Sequence, residues 1–165
     1  MKNKTKRLVT AAILVTAAML FSFVESQIPP FIPVPGIKLG LANAVTVFAL
    51  YRMSAKDAFL ISILRVSLSS MLFGMSSLPY ALSGAVLSLG VMLLLKHIKL
   101  SPVAVSAVGG IVHNAAQIGV AALILGTSGI IYYFPALALS GVITGTVIGI
   151  IAGIVIKKLK PELLS

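Results

Sequence analysis

The sequence predicts an all-α integral membrane protein, a six-transmembrane-helix bundle with both termini cytoplasmic. Three observations predict it. The 165 residues are 59% hydrophobic and 10% charged, with a mean hydropathy of +1.13, where soluble domains carry about 25% charge. Apolar runs close to the ~20 residues that a helix needs to cross a bilayer recur along the chain. Eleven of the thirteen lysines and arginines gather in alternate connections. One membrane domain, residues 1–165, is the natural size.

Spans are expected at about 8–28, 37–53, 57–73, 78–96, 102–125 and 130–156. The first lacks a small-residue cleavage site after a short core and is followed by further spans, so it reads as a retained helix rather than a signal peptide. After it comes ESQIPPFIPVPGIKLGLAN, residues 25–43, which holds four of the eight prolines and places Glu25 and Lys38 near its ends. So stiff a connection reads as a lid over a small-molecule site. Spans two and three are short and are expected to tilt little or to lie partly in the interface, whereas span six is long enough to tilt. Glycine, proline and serine mark turns at 54–56, 74–77, 99–102 and 126–129.

The cations set the orientation. Lys2, Lys4, Lys6 and Arg7 precede span one, Arg52 and Lys56 follow span two, Lys96 and Lys99 follow span four, and Lys157, Lys158 and Lys160 follow span six. Lys38 alone lies in an opposite connection, and Arg65 lies within span three. Short loops rich in Lys and Arg stay cytoplasmic. The net charge of +10 is therefore a topology signal facing the lipid bilayer, helped by anionic lipids. It is not a nucleic-acid footprint.

With the chain so oriented, the costly polar side chains collect between the membrane midplane and the outer surface. Arg65 is halfway along span three, with Ser62 and Ser69 on its helical face. An arginine there costs about 2.5–3.5 kcal/mol on insertion scales and should face the bundle interior with a partner. That partner is either Glu25, in a structural ion pair, or an anionic ligand group. His113, Asn114 and Gln117 stand midway along span five, and Asn43 stands in the outer half of span two. His113 and Gln117 share a face as a packing pair or as ligand contacts. Tyr80, Tyr132 and Tyr133 fit an interfacial aromatic belt or a ligand wall. No metal site is expected, since the second histidine, His97, is at the far end of span four.

Small residues form stripes as well. Gly141, Gly145, Gly149 and Gly153 recur every fourth residue in span six, the spacing that lets another helix approach closely. Span one has Ala12 and Thr16 on one face and Ala18, Ser22 and Ser26 on another. Such stripes serve either packing within the bundle or docking of a separate membrane subunit.

Several chemistries are excluded. The chain has no cysteine, hence no disulfide, thiol nucleophile or thiolate metal site. No P-loop, HExxH or GxSxG motif occurs. The acids are Glu25, Asp57 and Glu162, too few and too dispersed for the carboxylate clusters that hold Mg²⁺ against a diphosphate. No enzyme activity and no cofactor are expected.

Glu25 followed by IPPFIPVPGIKLGLAN, a central Arg65 and HNAAQ at 113–117 together resemble the bacterial Gx transporter family. Its members are often labelled heptaprenyl diphosphate synthase component I, and the family is similar to the S components of energy-coupling factor (ECF) transporters. The resemblance covers nearly the whole chain. It implies a multi-pass protein of the bacterial cytoplasmic membrane that binds a small molecule for ATP-driven uptake. Its implied partners are a transmembrane T subunit and two ATPase subunits. The substrate would be anionic or linked to isoprenoid, quinone or flavin metabolism. Glu25, Lys38, Asn43, Arg65, His113, Asn114 and Gln117 would bind it, with Ala12, Thr16, Gly141, Gly145 and Gly149 docking the partner. The AxxxA pattern associated with docking is absent, and Ala12 with Thr16 is its nearest equivalent. The alternative is a non-catalytic scaffold, or an accessory component of a prenyl diphosphate synthase or electron-transfer assembly.

Overall fold

The computed structural model describes residues 2–27 and 40–159. The proline-rich connection and Lys38 lie outside the described residues. Within them are six α-helices: α1 (Lys2–Gln27), α2 (Asn43–Arg52), α3 (Ala55–Phe73), α4 (Leu78–His97), α5 (Pro102–Leu125) and α6 (Phe134–Lys158). Short 3-10 turns at Met75–Ser77 and Gly129–Tyr133 lead into α4 and α6. No strand occurs among the described residues.

Four stretches are long and apolar enough to cross a membrane: Lys4–Gln27, Met75–His97, Pro102–Leu125 and Gly129–Lys158. They match the expected spans one, four, five and six, and they make this a multi-pass membrane protein. The other two helices depart from expectation for different reasons. α3 has 19 residues but carries Lys56, Asp57 and Arg65. α2 has 10 residues, about 15 Å of helix, against a hydrocarbon core of about 30 Å. Gly40 adopts φ +72, a conformation open to glycine, and its carbonyl accepts the Asn43 N–H at 2.8 Å. Among the described residues the helix therefore starts at Asn43, and the expected start near 37 lies outside them. The apolar run continues across Gly40 because it encodes burial as well as helix: Val45 through Leu50 are buried without a break, as expected of a helix apolar on every side.

The helices close around α2. α5–α6 and α4–α5 are the most extensive pairs, α3 packs on α4, and α2 touches α3, α5 and α6. α1 leans on α3 and α2 from outside. α1 and α3 run parallel: Arg7 meets Asp57 at one end, and Ser69 donates to Ser22 Oγ (3.3 Å) further along.

The α5–α6 seam is built on missing side chains. A Cβ at Gly141 would fall 2.8 Å from the Gly110 backbone, one at Gly145 would fall 2.6 Å from Ser106 O, and one at Gly149 would fall 2.6 Å from Val103 Cα. These three glycines are thus occupied inside the bundle, which is the packing alternative for the stripe. Gly153 faces open space.

One end of the bundle is closed by donors aimed at helix C-termini, whose last carbonyls lack partners within their own helix. Arg52 donates to the carbonyls of Ile156 and Leu159. Lys96 donates to Leu50 O and lies over the Tyr51 ring, and the Tyr51 hydroxyl donates to Leu100 O at 2.7 Å. At the same end, Ser54 and Asp57 form a capping box on α3, and Arg7 bonds both the Asp57 carboxylate (2.8 Å) and Ser54 Oγ (2.7 Å). This is the end to which the sequence assigns the cytoplasmic cations, and it is called the inner end below.

Gly145→Ala is expected to lower stability by about 1–3 kcal/mol, because backbone atoms cannot yield to the new methyl. Gly153→Ala is expected to be neutral or stabilising by up to about 1 kcal/mol. Thermal unfolding of the two variants in detergent compares them directly.

Candidate functional site

Arg65 belongs to the interior face of α3, which also carries the buried Ile61, Ser62, Val66 and Ser70. Its Nε is buried and has no hydrogen-bond partner. The Glu25 carboxylate acts on this charge through space, with no direct ion pair between the two. Glu25 instead accepts the Gly40 N–H at 2.5 Å, joining the outer end of α1 to the turn that starts α2. Ser69, one turn beyond Arg65, is turned to α1, where it meets Met19 and Ser22. The ion-pair alternative for Arg65 is therefore reduced to a longer-range attraction.

The second polar group is on α5. Gln117 Nε2 lies 3.1 Å from His113 Nε2, as their spacing of one turn requires. The imidazole is seated in a notch on α4: a Cβ at Gly84 would fall 2.8–2.9 Å from three of its ring atoms. Gly84 is a site residue that sequence reasoning missed, because nothing in α4 itself marks which glycine faces a side chain of the next helix. Asn114 points elsewhere. Its amide donates to Leu137 O on α6 at 2.6 Å, a cross-helix bond that extends the glycine seam.

Helix register sets the heights of these groups. Asn43, Arg65 and His113 all stand about 15 Å from the inner-end residues of their helices, Arg52, Ala55 and Pro102. Asn43 begins α2, so the positive end of that helix dipole lies at the depth of Arg65. α4 stands between α3 and α5, and the Arg65 and His113 groups flank it at one level. Tyr132 and Tyr133 are 89% and 53% exposed, which suits an interfacial belt better than a ligand wall. Ala12 and Thr16 lie on an exposed face of α1, with Thr16 Oγ1 bonded to Ala12 O at 3.0 Å.

An open groove of about 450 Å³ runs between α1 and α3, lined by Thr16, Met19, Leu20, Phe23, Leu72 and Phe73. It is apolar except for Thr16. Among the described residues no three His, Cys, Asp or Glu side chains cluster to hold a metal ion.

A family model described as heptaprenyl diphosphate synthase component I matches residues 14–155. The chain belongs to this family. The match runs from α1 into the last turns of α6 and so includes Glu25, Asn43, Arg65, His113, Asn114 and Gln117. Neither a curated protein nor a solved structure matches the chain. The family description contains the word synthase, yet the two acids among the described residues already accept hydrogen bonds: the Asp57 carboxylate from Arg7 and the Ser54 hydroxyl, the Glu25 carboxylate from the Gly40 N–H. Glu25 on α1 and Asp57 on α3 form no carboxylate pair among the described residues.

Three substitutions test the packing roles. Asn114→Ala is expected to lose about 1 kcal/mol of stability. Gly84→Ala should cost about 1–3 kcal/mol by overpacking, and His113→Ala in the same chain should restore part of that loss. Thermal melts of the single and double variants test this coupling, and additive losses would refute the seat.

Proposed function

We propose that this chain is a substrate-binding membrane subunit, of the S-component kind, for ATP-driven uptake of a small anionic molecule. The observation that carries the reading is the buried, unpartnered Nε of Arg65 inside an apolar bundle. A cation at that depth calls for an anion, and Glu25, whose charge acts on Arg65 through space, accepts the Gly40 N–H and makes no direct ion pair with it. The start of α2 at the same depth supports the reading, since half-helix N-termini in transporters face anionic substrate groups. In this reading Arg65 and Lys38 meet the charged group of the ligand. His113 and Gln117 supply hydrogen bonds from α5, Asn43 supplies one from α2, and Glu25 holds the turn before α2. All six helices then count as membrane segments, α2 as a half-span, with both termini in the cytoplasm of a bacterial cell. The sequence has no P-loop motif, and in this reading the energy comes from a T subunit and two ATPases.

The family description favours one second reading, an accessory component of a prenyl diphosphate synthase, for which the α1–α3 groove would offer an apolar surface. The two differ in what the purified protein holds. Native mass spectrometry of the uptake subunit is expected to show a bound small molecule that Arg65→Ala loses at least about tenfold, as expected when a buried charged hydrogen bond is removed. A clean unliganded spectrum together with a tightly held synthase partner would overturn the uptake reading. Co-purification with ATPase subunits would identify the energy source.

A further inference from the structure

At the inner end the fold consumes three cations: Arg7 on Asp57, Arg52 on the last carbonyls of α6, and Lys96 on Leu50. Four others, Lys56, Lys99, Lys157 and Lys158, are exposed and have no partner among the described residues. Each adjoins, along the chain, the pair Tyr51 and Arg52 or a residue bonded to it. Lys99 adjoins Leu100, whose carbonyl accepts the Tyr51 hydroxyl. Lys157 and Lys158 lie between Ile156 and Leu159, whose carbonyls accept Arg52. Lys56 follows Arg52 across the turn into α3. Asp57, the acid at this end among the described residues, is already held by Arg7.

Lys99 adds an independent observation. Its φ is +60, the one positive value among the described non-glycine residues. It closes α4, with its N–H on Lys96 O and the Leu100 N–H on Leu95 O, a position that glycine or asparagine usually fills. Cytoplasmic charge as such is served equally well by a lysine at the exposed Ile98, whose φ is −83 and needs no left-handed backbone. The charge is therefore held at this spot against a backbone preference. Its surroundings are mixed: Ile98 is 65% exposed, and Leu100 and Leu159 are each 37% exposed. Exposed aliphatic side chains beside lysine ammonium groups match the boundary between headgroups and acyl chains, more than the face of a soluble acidic protein.

The geometry points to an anionic phospholipid site at the inner end, in which Lys99, with Lys56, Lys157 and Lys158, holds the phosphate of a headgroup beside Ile98 and Leu100. The inference is independent of what binds at Arg65. Native mass spectrometry of the full chain, incubated with equal amounts of phosphatidylglycerol and phosphatidylcholine, is the test. Wild type is expected to retain several-fold more phosphatidylglycerol, since each lysine near an anionic surface is worth about fivefold in affinity. Lys99→Gly should lower that excess while raising the melting temperature, because glycine relieves the left-handed backbone. A K56Q/K157Q/K158Q variant should lower the excess further, and Lys4→Gln, on α1, should leave it unchanged. Equal retention of the two lipids by wild type, or an undiminished excess in Lys99→Gly, overturns the site. Displacement of phosphatidylglycerol by millimolar inorganic phosphate would overturn it too, in favour of a free-anion site.

Discussion

A helix of 10 residues with six consecutive buried positions has no lipid face to rest against, so both of its ends must be satisfied by protein. For α2 this is the constraint on which the rest of the bundle depends. Its last carbonyls lie among apolar helices, where an unpaired polar group costs several kcal/mol. Lys96 reaches across from α4 to supply a donor, and Arg52 and Tyr51 reach outward to α6 and to the α4–α5 turn. Three neighbours are thereby fixed to one short element. The glycine seam between α5 and α6 brings the remaining wall close enough for those reaches to succeed.

Much of this architecture was legible in the sequence, and particular residues explain where it was not. Spans one, four, five and six announce themselves by length and hydropathy, and the cations mark the shared end. α2 was overextended because Val45–Leu50 reads as a membrane run, whereas its apolarity reports complete burial in protein. The decisive residue is Gly40, whose positive φ ends the run, and one glycine in an apolar stretch looks like any other. α3 was placed correctly along the chain, but Lys56, Asp57 and Arg65 make it less apolar than a lipid-facing span.

The polar groups divided in a way that spacing alone could not reveal. His113 and Gln117 share a face at one turn's separation, and the structure joins them. Asn114, adjacent in sequence, points about 100° around the helix and serves α6 instead. Glu25 is one of two partners that the sequence allows for Arg65, yet the structure gives the two no direct ion pair, and the carboxylate accepts a backbone N–H from Gly40. What remains is a guanidinium with a buried nitrogen left over. That surplus could be found only by accounting for each donor in three dimensions.

The reach of Arg52 also bears on how the protein comes to exist. Its acceptors on α6 lie 104 and 107 positions further along the chain, so they leave the ribosome long after Arg52 has reached the membrane. Chains mature from the N-terminal end, and a helix too short to cross the bilayer cannot settle there alone. α2 and its cation therefore lack their α6 partners while α3, α4 and α5 are being made. Only the arrival of α6 supplies the carbonyls that let the short helix sink into place. The last helix to be made is thus the one that completes the second, and biogenesis of the bundle ends at its centre.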